Sequence, residues 1–358
     1  MPKNKRKKIL VAMSGGVDSS VAAAILKKEG FNVAGLFMDF WKEKGCPGGN
    51  KKSLEDAKKV AKILDIPLKI IKAQNIFKKK VVGYFLEEYK NGKTPNPCVF
   101  CNENIKFRIL LDEMKKAKAD LVATGHYALI CRSGSGKKGF FQLFQAKDEN
   151  KDQSYFLYRL NAKDLSRIIF PLGCYKKEEI RKMARDFKLP VFDKAESQNT
   201  CFIKDDNTAR FLKDNLKLKK GEITDRNGKV LGFHGGLSLY TMGQRKGIDI
   251  GGTGPYYVSD KDIKNNKLIV TNNPKDTVLY AKEIYVKKAN WIKNDINFPF
   301  LALVKTRYRQ KSAYAIIKKE KKGLYKIEFK IPQRAVSPGQ SAVFYSKNGG
   351  VLGGGIIK

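Results

Sequence analysis

Negative charge is what this chain lacks most: 35 Asp and Glu stand against 72 Lys and Arg, a net charge of +37. Such a surface repels itself and attracts polyanions, so nucleic acid is the first partner that electrostatics suggests. Histidine is almost missing, with only His126 and His234, which leaves little for a histidine-built metal centre. No apolar run approaches the roughly 18 residues of a membrane span. The basic start Met1 to Lys8 leads into an apolar stretch broken at once by Ser14-Gly15-Gly16-Val17-Asp18-Ser19, so no signal-peptide core forms. A soluble, cytoplasmic chain with no membrane partner is expected. Cysteine is sparse: Cys46, Cys98, Cys101, Cys131, Cys174 and Cys201, with no secretory signal, read as reactive or metal-binding thiols rather than a disulfide framework. No internal repeat and no low-complexity tract is found.

The length of 358 residues exceeds what one core usually organises, and 42% hydrophobic content is ordinary for a soluble protein, so two or three domains are expected. The first begins with an apolar run, Ile9 to Met13, a glycine pair, and an Ala-rich segment from Val17 closed by Gly30, which reads as strand, tight loop and helix. Free N–H groups at that helix start, the helix dipole, and the close approach allowed by Gly15 and Gly16 suit a phosphate. Ser14, Ser19 and Ser20 add hydroxyls, and Asp18 is placed to cap the helix or to position a metal or ribose. The common G-x-x-x-x-G-K-[ST] pattern is absent, and with it the lysine that serves the β- and γ-phosphates. A different chemistry on ATP is implied.

Asn32 to Met38 reads as a second buried strand, Ser53 and Asp56 as a capping box for a helix to Leu64, and Leu68 to Ile71 as a third strand. Strands alternating with helices predict an α/β fold with a doubly wound parallel sheet, whose ligands bind beyond the carboxyl ends of the strands. The loop, Met38, and the end of the strand Asp120 to Thr124, followed by Gly125-His126-Tyr127, should therefore face one crevice. Between them, the prolines of Lys93-Thr94-Pro95-Asn96-Pro97-Cys98 predict a loop before a helix starting near Asn102. Cys101 would then stand at a helix N-terminus near Lys93 and Lys106, a setting that favours thiolate. Further helix is expected from Lys176 to Phe187. Near residue 205 the pattern changes to short alternating segments with glycine turns, and from residue 286 it is all β, with strands over Ala313 to Lys319, Gly323 to Ile331 and Ser341 to Tyr345. The predicted organisation is a catalytic domain over residues 1–205, a central β-rich domain over 206–285, and a C-terminal β-barrel over 286–358.

Cys98 and Cys101 form a C-x-x-C, and Cys201 stands in a later loop after Glu196-Ser197-Gln198-Asn199. Three chemistries fit: a zinc site lacking an obvious fourth ligand, an iron–sulfur cluster on three cysteines with an open iron position, or sulfur carried by one thiol and released by another. Cys46, Cys131 and Cys174 read as incidental, although Cys46 beside Pro47-Gly48-Gly49 lies in a loop able to visit the site.

Ser-Gly-Gly-Val-Asp-Ser after the first strand resembles the PP-loop of the N-type ATP pyrophosphatases. In order along the chain, Thr-Pro-Asn-Pro with Cys-Asn, Ala-Thr-Gly-His-Tyr, Lys-Asp-Gln-Ser-Tyr-Phe-Leu, Cys-Phe-Ile, Tyr-Thr-Met-Gly-Gln-Arg-Lys-Gly and Ser-Pro-Gly-Gln-Ser-Ala-Val-Phe-Tyr resemble the bacterial tRNA-specific 2-thiouridylase family. The resemblance implies adenylation of the C2 oxygen of the wobble uridine by ATP with Mg2+, then sulfur transfer from a persulfide. It implies Cys101 as nucleophile and Cys201 as persulfide carrier. It implies ATP contacts at Ala12, Met13, Ser14, Gly15, Gly16, Val17, Asp18, Ser19, Met38 and Gly125, and a place beside the target base for Asn96, Pro97 and Cys98. His126, Lys151, Asp152, Gln153, Arg307, Tyr308 and Gln340 match tRNA contacts, and the implied partners are the anticodon region of tRNA and a sulfur-donor protein or persulfide relay. Where many members carry an acidic residue after Asn-Pro, this chain has Cys98, which completes a set of three cysteines and keeps a [4Fe-4S] cluster as the alternative to the persulfide. Two rival functions share parts of the pattern: another adenylating synthetase with a small-molecule acceptor, and a non-catalytic RNA-binding protein.

Overall fold

The computed structural model describes residues 7–41, 51–133, 140–195, 200–248, 250–251, 255–292 and 296–358. Cys46 and the stretch Glu196 to Asn199 lie outside them. Strands β1 (Lys8–Ala12), β2 (Asn32–Asp39), β3 (Leu68–Lys72), β4 (Leu121–Thr124) and β7 (Ile168–Ile169) form one sheet in the order β3-β2-β1-β4-β7. A small hairpin of β5 (Leu129–Ser133) and β6 (Phe140–Phe144) follows β4 in the chain. Every pairing in the main sheet is parallel, with Leu10 opposite Ala34 on one side and Val122 on the other. Alternate residues of β1 serve two cores: Ile9 and Val11 face the helices α1 (Val17–Lys28) and α2 (Lys51–Ile63), and Leu10 faces Phe107, Leu110 and Tyr155. Burial on both faces is why β1 reads as an unbroken apolar run. Helix α1 is buried nearly all round, which its run of Ala22, Ala23 and Ala24 permits, and Gly30 at φ +87° ends it.

The sheet reverses direction of growth at β1, with β2 added on one side and β4 on the other. The loop after β1 and Gly125 after β4 therefore meet at the carboxyl ends of adjacent parallel strands, the usual ligand position in such sheets.

The second unit is a four-stranded sheet, β10-β11-β8-β9, from β8 (Gly221–Thr224), β9 (Val230–His234), β10 (Tyr257–Asp262) and β11 (Lys267–Thr271). The third is a closed barrel, β12-β15-β14-β13-β16-β17, built from β12 (Tyr280–Trp291), β13 (Phe300–Lys305), β14 (Ala313–Lys319), β15 (Tyr325–Arg334), β16 (Ser341–Tyr345) and β17 (Val351–Ile357). Strand β12 runs across residues 285 and 286. Expected strand Gly323 to Ile331 is shifted: Gly323 sits in a turn at φ +70°, and β15 starts at Tyr325. The barrel seats on the first unit through Val343, Tyr345 and Val351 packed with Tyr155, Leu157 and Tyr158. Tyr155 Oη donates to the Ser341 carbonyl at 2.8 Å, and Asn290 Nδ2 to the Tyr158 carbonyl at 2.7 Å. Among the described residues no helix is long and apolar enough to cross a membrane.

Candidate active site

The loop Met13–Gly16 turns from β1 into α1 with Gly16 as the N-cap, and among the described residues no side-chain oxygen caps the leading N–H groups of the helix. Ser19 accepts from Ser14 N at 3.0 Å and meets Ser14 Oγ at 3.1 Å, which draws the loop tight. Two positions need glycine. A Cβ on Gly15, at φ +71°, would stand 2.0 Å from the Ser53 carbonyl oxygen, and one on Gly125 would stand 2.7 Å from Ser19 N.

Lysines from far along the chain close on this loop. Lys177 Nζ lies 2.5 Å from Asp18 Oδ1, which also accepts from Tyr127 Oη at 2.8 Å. Lys194 Nζ donates to the Gly15 carbonyl at 2.9 Å and to Asp56 Oδ2 at 2.5 Å. The capping box expected from Ser53 and Asp56 is corrected here: α2 spans Lys51–Ile63, so both residues lie inside it, and Asp56 turns to Lys194. Lys177 and Lys194 carried no local sequence signal, because Asp18 and Gly15 are 159 and 179 residues away from them.

A second correction concerns the cysteines. The helix begins at Pro97, not near Asn102, and continues from Pro97–Cys101 through a wide π-helical turn, Asn102–Lys106, into Phe107–Lys116. Proline is compatible with the first helical position because its missing N–H has no intrahelical partner there. Asn96 caps the turn by accepting from Val99 N at 3.2 Å. Cys98 is thus in the first turn and Cys101 one turn further in.

Cys101 and Cys201 belong to one apolar cluster with Phe77, Phe85 and Phe202, next to Phe40 and Trp41 just beyond β2. Burial pushes the Cys101 thiol up to about 11, against the expected thiolate character; the charge of Lys106 and its backbone N–H pull the other way. Burial also raises Cys201, and negative charge on Cys101 or Cys98 would raise it further, while Lys106 lowers it. Cys98 is exposed on the helix, yet the atoms packed around its sulfur raise it too by desolvation, opposed by Lys106. One cation therefore acts on all three thiols. Lys93, the other lysine expected here, pairs with Glu88 at 3.2 Å. Lys106 Nζ is 3.4 Å from His126 Nε2, and Thr124 Oγ1 is 2.6 Å from Nδ1. Enclosure and the Lys106 charge hold His126 well below the usual imidazole range, so it stays neutral.

The remaining expected residues divide. Met38 is the last residue but one of β2, partly buried against the Leu10 and Leu36 core. Asp152 is buried and accepts from Ala146 N, Ser154 N and Ser154 Oγ, while Gln153 Oε1 accepts from Tyr127 N at 2.9 Å. Lys151 is half-buried beside them, its N–H donating to the Asp148 carbonyl. Arg307 donates to the carbonyls of Met242 and Ala335 and to Ser337 Oγ, joining barrel to central unit. Tyr308 lies over Phe156, ring centroids 4.4 Å apart, with the Arg309 guanidinium on its ring. Gln340 Nε2 donates to the Thr94 carbonyl, Thr94 N donates to the Pro338 carbonyl, and Thr94 Oγ1 meets Thr241 Oγ1 at 3.2 Å. Both β units thus grip the strand of chain leading to Asn96 and the cysteine helix. Among the described residues no group of three His, Cys, Asp or Glu side chains is placed to hold a metal ion.

Three family models match the chain: a tRNA methyl transferase HUP domain over residues 7–205, a tRNA methyl transferase PRC-barrel domain over 209–272, and an aminomethyltransferase beta-barrel domain over 281–357. The tRNA-specific 2-thiouridylase MnmA 2 of Thermoanaerobacter sp. (strain X514) is 44% identical, covering 98% of each chain. The tRNA-specific 2-thiouridylase MnmA 1 of Geobacillus kaustophilus is 42% identical, covering 99% of this chain and 96% of its own. A solved structure, the U34-tRNA thiolase NcsA from Methanococcus maripaludis with its [4Fe-4S] cluster, is 21% identical with a TM-score of 0.36, covering 59% of this chain and 64% of that one. A likeness that slight transfers no site.

Proposed function

We propose that this chain, which belongs to the tRNA-specific 2-thiouridylase family, transfers sulfur to C2 of a tRNA uridine at the expense of ATP. A carbonyl oxygen leaves poorly as oxide, whereas an AMP ester leaves readily. The uridine C2 oxygen attacks the α-phosphorus, and pyrophosphate departs into the loop between β1 and α1, where the helix N–H groups receive it. Ala12 to Ser19, Met38 and Gly125 make the ATP contacts. Mg2+ bound with ATP would neutralise charge on the phosphates.

Sulfur arrives as a persulfide on Cys201, loaded by a donor protein or persulfide relay. Its terminal sulfur adds to C2 and AMP leaves with the C2 oxygen. The Cys101 thiolate then attacks Cys201 Sγ, breaking the S–S bond to the terminal sulfur. The products are 2-thiouridine and a Cys101–Cys201 disulfide, which an external dithiol reduces. Lys106 stabilises each thiolate as it forms, and neutral His126 steadies Lys106 from behind. Asn96, Pro97 and Cys98 lie where the extruded base enters. Lys151, Asp152, Gln153, His126, Arg307, Tyr308 and Gln340 shape the tRNA side, with Tyr308 and Arg309 offering a stacked aromatic and a guanidinium to an unpaired base.

The observation that carries this reading is the placement of the glycine loop and the Cys101–Cys201 cluster on the same carboxyl edge of one parallel sheet. The excess of positive charge supports a tRNA partner over a small-molecule acceptor. Incubation with ATP, a persulfide donor and unmodified tRNA should yield AMP and 2-thiouridine in equal amounts, read by nucleoside mass spectrometry. Formation of ADP, or ATP turnover indifferent to tRNA, would overturn it.

A further inference from the structure

We propose that Lys194 is the phosphate-binding lysine that the nucleotide loop lacks in sequence, delivered from far along the chain to an oxygen of the pyrophosphate half of ATP. This rests on the reading that the loop binds ATP. The loop contains no lysine between Met13 and Leu26, yet the Lys194 ammonium sits on its main chain, 2.9 Å from the Gly15 carbonyl. An ammonium has three N–H donors. Gly15 O and Asp56 Oδ2 take two at short range, and the third meets only Ser53 Oγ, at 3.5 Å, among the described residues. That third donor is therefore weakly used in a cation whose side chain is still 28% exposed.

The surroundings fix where the ammonium can be. The Ser53 carbonyl packs so closely on Gly15 that no side chain fits between them, which presses the first turns of α2 against the loop. Asp56, on that helix, anchors the lysine from behind. Lys177 serves differently, since its side chain is 10% exposed and is bound to Asp18 inside the first turn of α1. The two lysines cancel the two carboxylates, so the field of the helix N-terminus is left to act on an incoming anion. An ordinary nucleotide loop places its lysine by covalent spacing; this one places it by folding.

A lysine present only to neutralise Asp56 predicts a different result from one that binds phosphate, and inorganic pyrophosphate separates the two. Titration calorimetry with inorganic pyrophosphate, and separately with a non-hydrolysable ATP analogue, on the intact chain should show Lys194→Met weakening both by about tenfold or more, as loss of a charge-assisted bond does. Lys194→Arg should keep most of the affinity. Asp56→Asn should bind as well as the parent chain or more tightly, since it removes negative charge and leaves the ammonium. Equal losses in Lys194→Met and Asp56→Asn, or pyrophosphate binding unchanged in Lys194→Met, would overturn the inference. If the parent chain binds neither pyrophosphate nor the analogue, the nucleotide reading of the loop falls, and this inference falls with it.

Discussion

Gln340, in the turn before β16 of the barrel, donates its side-chain amide to the Thr94 carbonyl at 2.8 Å, bridging 246 residues of sequence. Thr94 is two residues before Asn96, the cap of the cysteine helix, so the barrel holds the segment that aims Cys98 and Cys101. Small displacements of reacting groups are costly in rate.

Gln340→Ala should therefore lower kcat for thiolation by roughly tenfold or more, with KM for tRNA within about twofold of the parent. Steady-state kinetics decide it. A rise in KM at constant kcat would assign Gln340 to RNA contact alone.

Gly125→Ala should abolish ATP binding and cost about 1–3 kcal/mol of stability, since its Cβ would meet backbone at Ser19 N, 2.7 Å away, and backbone cannot step aside. Urea titration and nucleotide binding measure the two effects. Normal ATP affinity in a stable variant would disprove the close packing of β4 on the loop.

The Cys101 thiol is raised to about 11 by burial. Thiolate is the minor form throughout the neutral range, so alkylation of Cys101 by iodoacetamide in the nucleotide-free chain should rise tenfold per pH unit from pH 7 to 10 without a plateau. At pH 8 it should run roughly a hundredfold slower than a free cysteine. Lys106 pulls the value down, so Lys106→Met should slow the reaction further. Peptide mass spectrometry after timed quenching reads both. A plateau near pH 8.5 would contradict the burial argument.

Cys101→Ser and Cys201→Ser should each eliminate 2-thiouridine formation, while Cys98→Ser keeps activity within about tenfold, because only the first two exchange sulfur in the proposed course. Iron and sulfide analysis of anaerobically purified protein should find no stoichiometric cluster, since the proposed course carries sulfur on Cys201 and needs none. Iron that is lost in Cys98→Ser would reverse the assignment of sulfur chemistry.

Much of the first unit was legible because its signals are local. The apolar run of β1, the glycine pair and the Ala-rich α1 sit next to one another, and the structure differs from their reading by a residue or so at the ends. The cysteine helix was misread from Pro95 and Pro97, since the same proline that blocks a helix interior is accommodated at its first turn when Asn96 supplies the cap. The expected low pKa of Cys101 failed for a related reason. A helix start and nearby lysines are visible in sequence, but the enclosure by Phe77, Phe85 and Phe202 that outweighs them is not.

Sequence alone determined the elements whose cause lies within a few residues: a glycine turn between a buried strand and a small-residue helix, a parallel α/β sheet, and a β-rich remainder. Tertiary structure alone decided which charges meet that turn, because Lys177 and Lys194 reach it across the fold, and which chain segments hold the thiols, because Thr94 is gripped by both β units. Local spacing governs backbone conformation, whereas burial, ion pairing and pKa depend on what the folded chain brings alongside from any distance.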